Sequence, residues 1–452
     1  MANLDQFVQE LNSMLKNEVI TPSEPLAESK PLAETLLSVP FTGSSIKILI
    51  VSTHINQVNG YSKVAHNLIQ QLAHHPWIQI VHFGTQKMLT ADIGRVYPPN
   101  VKVIDGTALD KEKQPGFALG ELPGVIQTEK PNIVFLYNDL SVICAYLEHI
   151  RKAIDQRPFK IWAYTDLVYA GIPPAMMDLL NRDVERVFCF TKSWKAVLKA
   201  QGITRPVDVM PHGVDLKQFR TIPRDLARQT LGLPKDMFLF TSVNKNIPRK
   251  RLDLLVISFV KLIVRFPMKQ IFLLVVADKG DRGGFPLFDI FAREIKLQGC
   301  STEMYGNRLM ITSKDTCYRD EDINLLYNCA DVGISCAESE GFGLCSFEQM
   351  AVGVPQIVPE INGYTEYCTV GNSLLVTPTH RYYVPQALHS VTGEAQMVDP
   401  DNVAAAMQRY VFENELRVEH GKAAKSSTVA LTWDKVTEGM IKRLNAIRDD
   451  DE

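Results

Sequence analysis

Glu340 and Glu348 stand with seven residues between them, around Gly341 and Gly343. Upstream lies an apolar run, Val332-Gly-Ile-Ser-Cys336, that reads as a buried strand. Downstream the chain enters a helix near Ser346 that stops at Gly353, with Pro355 just beyond, and a second strand follows at Gln356–Pro359. Strand, glycine turn, helix and strand bring free backbone N–H groups and the positive end of a helix dipole to one point, an anion site. Glu340 precedes the helix and Glu348 falls in its first turn, so both can face one pocket. Carboxylates accept hydrogen bonds from hydroxyls, two at a time where these are adjacent. An anion cradle between two such groups suits a sugar nucleotide, with phosphates in the middle, sugar on one side and ribose on the other. An ordinary turn leading into an acidic helix would explain Glu348 alone, but not the glycines, both acids and the Gly-Val-Pro exit together.

A second group of reactive residues is basic. Lys245, Arg249, Lys250 and Arg251 fall between a strand, Phe238–Val243, and a helix beginning at Leu252. Cations ahead of a helix N-terminus oppose its dipole unless an anion lies between them; a solvated basic turn is the alternative. Asp166 ends the strand Ile161-Trp-Ala-Tyr-Thr-Asp166. It could bind an acceptor hydroxyl, act as a base, or simply cap a helix. Gly60 lies in the first turn, between the strand Ile46–Ser52 and a helix Ser62–Ala73. Ligands collect at the C-terminal ends of parallel strands, so this turn points to the same cleft. Asn59 beside it tolerates positive φ.

The elements that must position these residues alternate as strand and helix along the chain. That pattern means an α/β protein with parallel sheets. The 452 residues exceed one ordinary domain and fit two of about 200 each. Apolar residues at 46% and charged residues at 22% belong to the soluble globular class. The net charge of −3 gives no electrostatic footing for nucleic acid. The eight cysteines are scattered without C-x-x-C spacing, which predicts reduced thiols, no metal site and a cytoplasmic setting. Residues 1–45 form an extension: a short amphipathic helix over Leu4–Leu15 and a proline-containing linker. Lys192, Lys195 and Lys199 could give one helix a thin basic face for peripheral membrane contact, although a solvated face explains them as well.

Glu340-Gly-Phe-Gly-Leu-Cys-Ser-Phe-Glu348, followed by Gln-Met-Ala-Val-Gly-Val-Pro355, resembles the E-x7-E signature of retaining GT-B glycosyltransferases of family GT4, the group 1 glycosyltransferases. Pro211-His-Gly-Val-Asp-Leu-Lys-Gln-Phe219 resembles the segment that closes the family's first domain, and Asn362-Gly-Tyr-Thr-Glu366 its G-G-x-x-E turn. The resemblance implies two Rossmann-like domains with parallel sheets facing across a cleft: an acceptor domain at 46–218, a donor domain at 219–430, and a helix at 431–452 crossing back and ending in an acidic tail. It implies sugar transfer from a UDP- or GDP-sugar to a sugar-containing acceptor, without a cofactor or essential metal. Lys245 and Lys250 match the cations that hold the diphosphate, with Arg249 and Arg251 as spare cations. Glu340 would hold donor-sugar hydroxyls and Glu348 the ribose. The amides of Gly341, Phe342, Gly343 and Leu344 would hold phosphate, with Gly60 and Glu366 closing the donor pocket. Ile311–Ser313 would read the base. Tyr164, Thr165 and Asp166 stand where the family often has a histidine, and His212 stands where asparagine is common. A nucleotide-sugar epimerase of the same fold and a non-catalytic GT-B scaffold are the competing readings.

Overall fold

In the computed structural model, the described residues are 45–88, 93–111, 116–277, 283–312, 318–385 and 393–450. The helix and linker expected before residue 45, Ser313 of the expected base-reading segment, and the last two residues of the tail lie outside them.

The first domain carries β1 (Ile46–Thr53), β2 (Ile78–Thr85), β3 (Val101–Asp105), β4 (Ile133–Asp139), β5 (Lys160–Asp166), β6 (Arg186–Cys189) and β7 (Val207–Val209). They pair in the order β3-β2-β1-β4-β5-β6-β7, all parallel. The second domain carries β8 (Phe238–Val243), β9 (Ile271–Val276), β10 (Leu309–Ile311), β11 (Val332–Ile334), β12 (Gln356–Pro359) and β13 (Ser373–Val376). Their order is β10-β9-β8-β11-β12-β13, again parallel. In each sheet the strand order reverses beside the first strand, and the crevice at such a switch point is where ligands gather. The central strands are apolar on both faces because helices cover both. Ile48, Leu49, Ile50 and Val51 of β1 are all buried, as are Leu273, Leu274 and Val275 of β9.

One apolar cluster runs through both domains. It joins Phe190 and Met210 of the first to Phe342, Phe347 and Tyr364 of the second, and takes in Trp433, Met440 and Leu444. The last three belong to the helix Trp433–Asp450, which lies on the first-domain helix Gly60–Ala73. Two contacts fix its start: Val214 N–H donates to Leu431 O at 3.0 Å, and Gly213 packs so closely on Trp433 that a Cβ there would collide with it. Arg443 completes the docking by pairing with Asp208 of β7 at 2.5 Å.

The structure departs from the sequence reading in three places. The helix after the glycine turn begins at Leu344, two residues earlier than Ser346, so Glu348 lies in its second turn. Asn59 has an extended backbone, and its side chain caps the helix by accepting from Ser62 N–H at 2.8 Å. The segment 382–396, where proline, histidine and glycine interrupt any period in the sequence, contributes to an antiparallel hairpin, β14 (His380–Val384) with β15 (Gly393–Met397). Its second strand docks across the cleft, where Glu394 N–H donates to Ala170 O at 2.8 Å.

Candidate active site

The glycine turn sits where the two domains meet. Gly343 has φ +88° and precedes the helix Leu344–Ala351, which ends before Gly353 at φ +93°. Among the described residues, the amides of Gly341, Phe342, Gly343 and Leu344 donate to no protein group. They are orphan donors at a helix N-terminus, the arrangement that binds anions. Neighbours hold the turn tightly. A Cβ on Gly343 would strike Tyr364, and one on Gly363 would strike the Glu340 backbone. The first-domain Trp194 indole donates to Glu340 O at 3.2 Å and Gly341 O at 3.0 Å. The Phe342 ring points away into the aromatic core, 5.0 Å from both His212 and Tyr367 between ring centres, so only its amide serves the turn.

Glu340 is buried and faces two cations. Lys250 donates to its Oε1, and Arg249 lies 3.3 Å from Oε2 while donating to Ser339 O at 2.7 Å. A short 3-10 turn, Pro248–Lys250, followed by Arg251 at φ +47°, folds both side chains inward ahead of the helix Leu252–Arg265. Burial raises the Glu340 carboxyl, but Lys250 and Arg249 more than offset that and hold it below the ordinary range. Burial lowers the Lys250 ammonium, with Glu340 opposing the shift and Arg249 adding to it. Lys245 is exposed at the end of β8 and makes no ion pair among the described residues, although its charge acts on Asp139. Arg251 is held by Asp253, at 2.7 Å and 3.0 Å.

Glu348 is buried at the other end of the turn, where its partner comes from the first domain. Lys63 Nζ lies 2.8 Å from Glu348 and 3.2 Å from Asp320, and stands 4.7 Å from the centre of the Phe219 ring. Tyr327 donates to the second Glu348 oxygen at 2.9 Å. Arg95 grips Asp320 at 3.1 Å and 3.2 Å. Burial raises the Glu348 carboxyl above its ordinary range, with Lys63 opposing that shift.

The third group lies on the first domain, facing the turn. The sequences Tyr137-Asn-Asp139 and Tyr164-Thr-Asp166 end adjacent strands in register, Tyr137 beside Tyr164 and Asp139 beside Asp166. Tyr61 reaches both acids: its hydroxyl is 2.7 Å from Asp139 Oδ1 and 2.8 Å from Asp166 Oδ2. Asp166 Oδ1 is buried, has no hydrogen-bond partner among the described residues, and points at Gly341, where a Cβ would run into it. Burial and Asp139 push the Asp166 carboxyl up to about 7. Burial likewise raises Asp139.

The structure thus brings Lys250, Arg249, Glu340, Gly341 and Asp166 to one place, with Glu348 beyond the turn. Three other candidates stand apart. Glu366 accepts from the Lys192 amide at 2.8 Å, on the helix Lys192–Ala200 of the first domain. Gly60 opens its helix with no side chain close by. Tyr164 is buried in the core, bonded to Met210 O at 2.9 Å and to His212 Nδ1 at 2.8 Å. Burial lowers His212 to about 3, so its ring is neutral. Tyr61, Lys63 and Asp139 escaped the sequence reading. The repeated Tyr-x-Asp at two strand ends was the available signal for Asp139.

Residues 223–383 match the family model described as Glycosyl transferases group 1. Among curated proteins, the D-inositol 3-phosphate glycosyltransferase of Saccharomonospora viridis is 24% identical over 251 residues, 54% of this chain and 52% of that protein. The Rhodococcus opacus protein of the same name is 28% identical over 236 residues, 52% of this chain and 47% of its own length. The chain therefore spans about half the length of the curated relatives it matches. Among solved structures, a sucrose-phosphate synthase from Thermosynechococcus elongatus has a TM-score of 0.67 at 18% identity, covering 89% of this chain and 99% of that one. Anabaena HepE in complex with UDP-glucose has a TM-score of 0.64 at 15% identity, covering 89% and 100%. At these identities the likeness concerns the fold, which is the GT-B arrangement of two Rossmann-like domains. Among the described residues, no helix is long and apolar enough to cross a membrane, and no cluster of His, Cys, Asp and Glu could hold a metal ion.

Proposed function

We propose that this protein transfers a glycosyl group from a nucleoside diphosphate sugar to an acceptor hydroxyl, with retention at the anomeric carbon. One observation carries the reading: Arg249 and Lys250 converge with Glu340 on a turn whose amides are unpaired. When the bond between the anomeric carbon and the phosphate oxygen breaks, charge grows on the departing diphosphate. Cations and amides already aimed there strengthen their hold as it grows, which lowers the barrier. In this reading Lys250 and Arg249 turn from Glu340 towards the phosphates, and Glu340 receives donor-sugar hydroxyls. Glu348 receives the ribose, which must displace Lys63. Protein cations do the work that a divalent metal does elsewhere, so no metal is required. A uridine nucleotide is the first donor to try, because a fold neighbour is described in complex with UDP-glucose.

The test is a thermal-shift series with UDP-glucose, GDP-mannose and ADP-glucose, followed by an acceptor screen and an NMR assignment of the anomeric configuration of the product. One donor should raise the unfolding midpoint, since a ligand that binds only the folded state stabilises it. A midpoint unmoved by any donor would refute the reading. The filling of Glu348 by Lys63 favours one other reading, a binding protein in which these pairs are permanent. Donor binding with no release of nucleotide under any acceptor would support it.

A further inference from the structure

The Tyr61 hydroxyl lies within 2.8 Å of a carboxyl oxygen on each of two aspartates, yet it carries a single proton. That proton can satisfy one contact. The other, equally short, needs a proton on the second carboxyl, donated to the tyrosine oxygen. The Asp139–Tyr61–Asp166 group therefore holds one proton beyond the tyrosine's own. Two carboxyls this close share one because both cannot ionise together at low cost. With the extra proton on Asp139, the hydrogen bonds run from Asp139 to Tyr61 and from Tyr61 to Asp166. Asp166 is then the ionised member, and its free oxygen Oδ1 points out of the relay at Gly341.

We propose that this relay is the acceptor site: Asp166 Oδ1 accepts a hydrogen bond from the attacking hydroxyl of a sugar or polyol, and Tyr61 and Asp139 are positioning residues that keep it ionised and aimed. The proposal rests on the glycosyltransfer reading and extends it to the other substrate. All three side chains come from the first domain, whereas Lys250, Arg249 and Glu340 come from the second. A hydroxyl held by Asp166 therefore faces the anion cradle across the seam. In the step itself, the bond from the anomeric carbon to the phosphate oxygen breaks, leaving its electron pair on that oxygen. The acceptor oxygen bonds to the anomeric carbon, and its proton passes to the departing phosphate oxygen. The relay ends with the proton count it began with.

The groups that face Asp166 set the pH behaviour. They are Asp139 on β4, Tyr61 on the helix Gly60–Ala73, Arg249 on the 3-10 turn and Glu340 on the cradle. Tyr137 and Tyr164 lie alongside on β4 and β5, and Lys245 acts on Asp139 from the end of β8. Asp139 and Glu340 raise the Asp166 carboxyl, while Tyr61 and Arg249 lower it. Transfer should therefore fall on the acid side, where Asp166 takes up a proton while Asp139 already holds one.

The experiment uses the full chain, the donor that gives the largest thermal shift, and glycerol and myo-inositol as acceptor probes, with nucleotide release as readout. Tyr61→Phe removes the bridge but leaves the ring contact with Tyr137. It should raise the acceptor KM roughly tenfold, as expected for one hydrogen bond to a charged group, and move the acid limb of the pH profile upward. Donor affinity by thermal shift should stay unchanged. An infrared spectrum at neutral pH should show the stretch of a protonated carboxyl that disappears in Asp139→Asn. Tyr61→Phe with an unchanged acceptor KM and pH profile would overturn the proposal, as would the absence of that carboxyl band. If the wild-type chain binds donor but transfers to no probe and does not hydrolyse it, the glycosyltransfer reading fails first. Active wild-type enzyme with indifferent variants condemns the relay alone.

Discussion

Lys63 offers the most demanding test of how the cleft is held. Its ammonium is nearly buried, between Glu348 at 2.8 Å and Asp320 at 3.2 Å, and it comes from the opposite domain. Lys63→Met keeps an unbranched side chain that can still lie against Phe219, whose ring is 4.7 Å from the ammonium. What it removes is the charge. Stripping one partner from a buried pair costs about 3–5 kcal/mol, because the other charge is left uncompensated. Here the lower end applies, about 3 kcal/mol, since Tyr327 still donates to Glu348 and Arg95 still holds Asp320. The pH dependence follows from Glu348. Its carboxyl already lies above the ordinary range through burial, with Lys63 opposing, so losing Lys63 raises it further. A carboxyl raised in the folded state penalises folding above its unfolded value of about 4.3, and the penalty grows until the folded value is passed. The destabilisation should therefore be larger at about pH 8 than at about pH 5.5, where more of Glu348 can bind a proton. Urea unfolding at the two pH values measures this. The same variant should gain more stability from UDP than the wild type does, because ribose no longer has to displace an ammonium. A loss below about 1 kcal/mol at both pH values, with an unaltered response to UDP, would refute the reasoning.

Three further outcomes bear on the donor side. Lys250→Ala should lower kcat by about 10²–10³-fold, the usual cost of removing one preorganised group from the site of developing charge; Arg249 remains to pair with Glu340, so circular dichroism should show the fold intact. Gly341→Ala should lose transfer and about 1–3 kcal/mol of stability through overpacking, because its Cβ enters the space of Asp166 Oδ1. Adding Asp166→Ala should restore the stability, read by thermal unfolding, but not the transfer. Treatment with EDTA should leave nucleotide release unchanged; complete loss restored by magnesium would refute metal independence.

The two-domain α/β architecture was legible because buried parallel strands are near-continuous apolar runs, and runs such as Ile271–Val276 need no partner to be recognised. The hairpin was not. His380-Arg-Tyr-Tyr-Val384 is polar, and its second strand is fastened to Ala170 of the other domain. At the site, sequence exposed what lies close along the chain. Glu340, the glycines and Glu348 share one turn, and Lys250 precedes one helix. It could not rank Arg249 above Lys245, because the 3-10 turn that folds Arg249 inward was not visible in it. Nor could it show that Glu348 meets Lys63, a residue 285 positions away.

Asp139 is the instructive case between these extremes. The repeated Tyr-x-Asp was present in the sequence, but the two triplets become one feature only when β4 and β5 pair in register. A slip by one residue would turn Asp139 to the opposite face from Asp166 and leave Tyr61 with a single partner. The register is enforced at the far ends of the same strands by apolar contacts, Ile133, Phe135, Ile161 and Trp162 all being buried. The placement of the acids is thus a consequence of core packing well away from them. Mutations that loosen that core should disturb the acid limb of the pH profile before they disturb donor binding, because the donor groups are fixed by the other sheet.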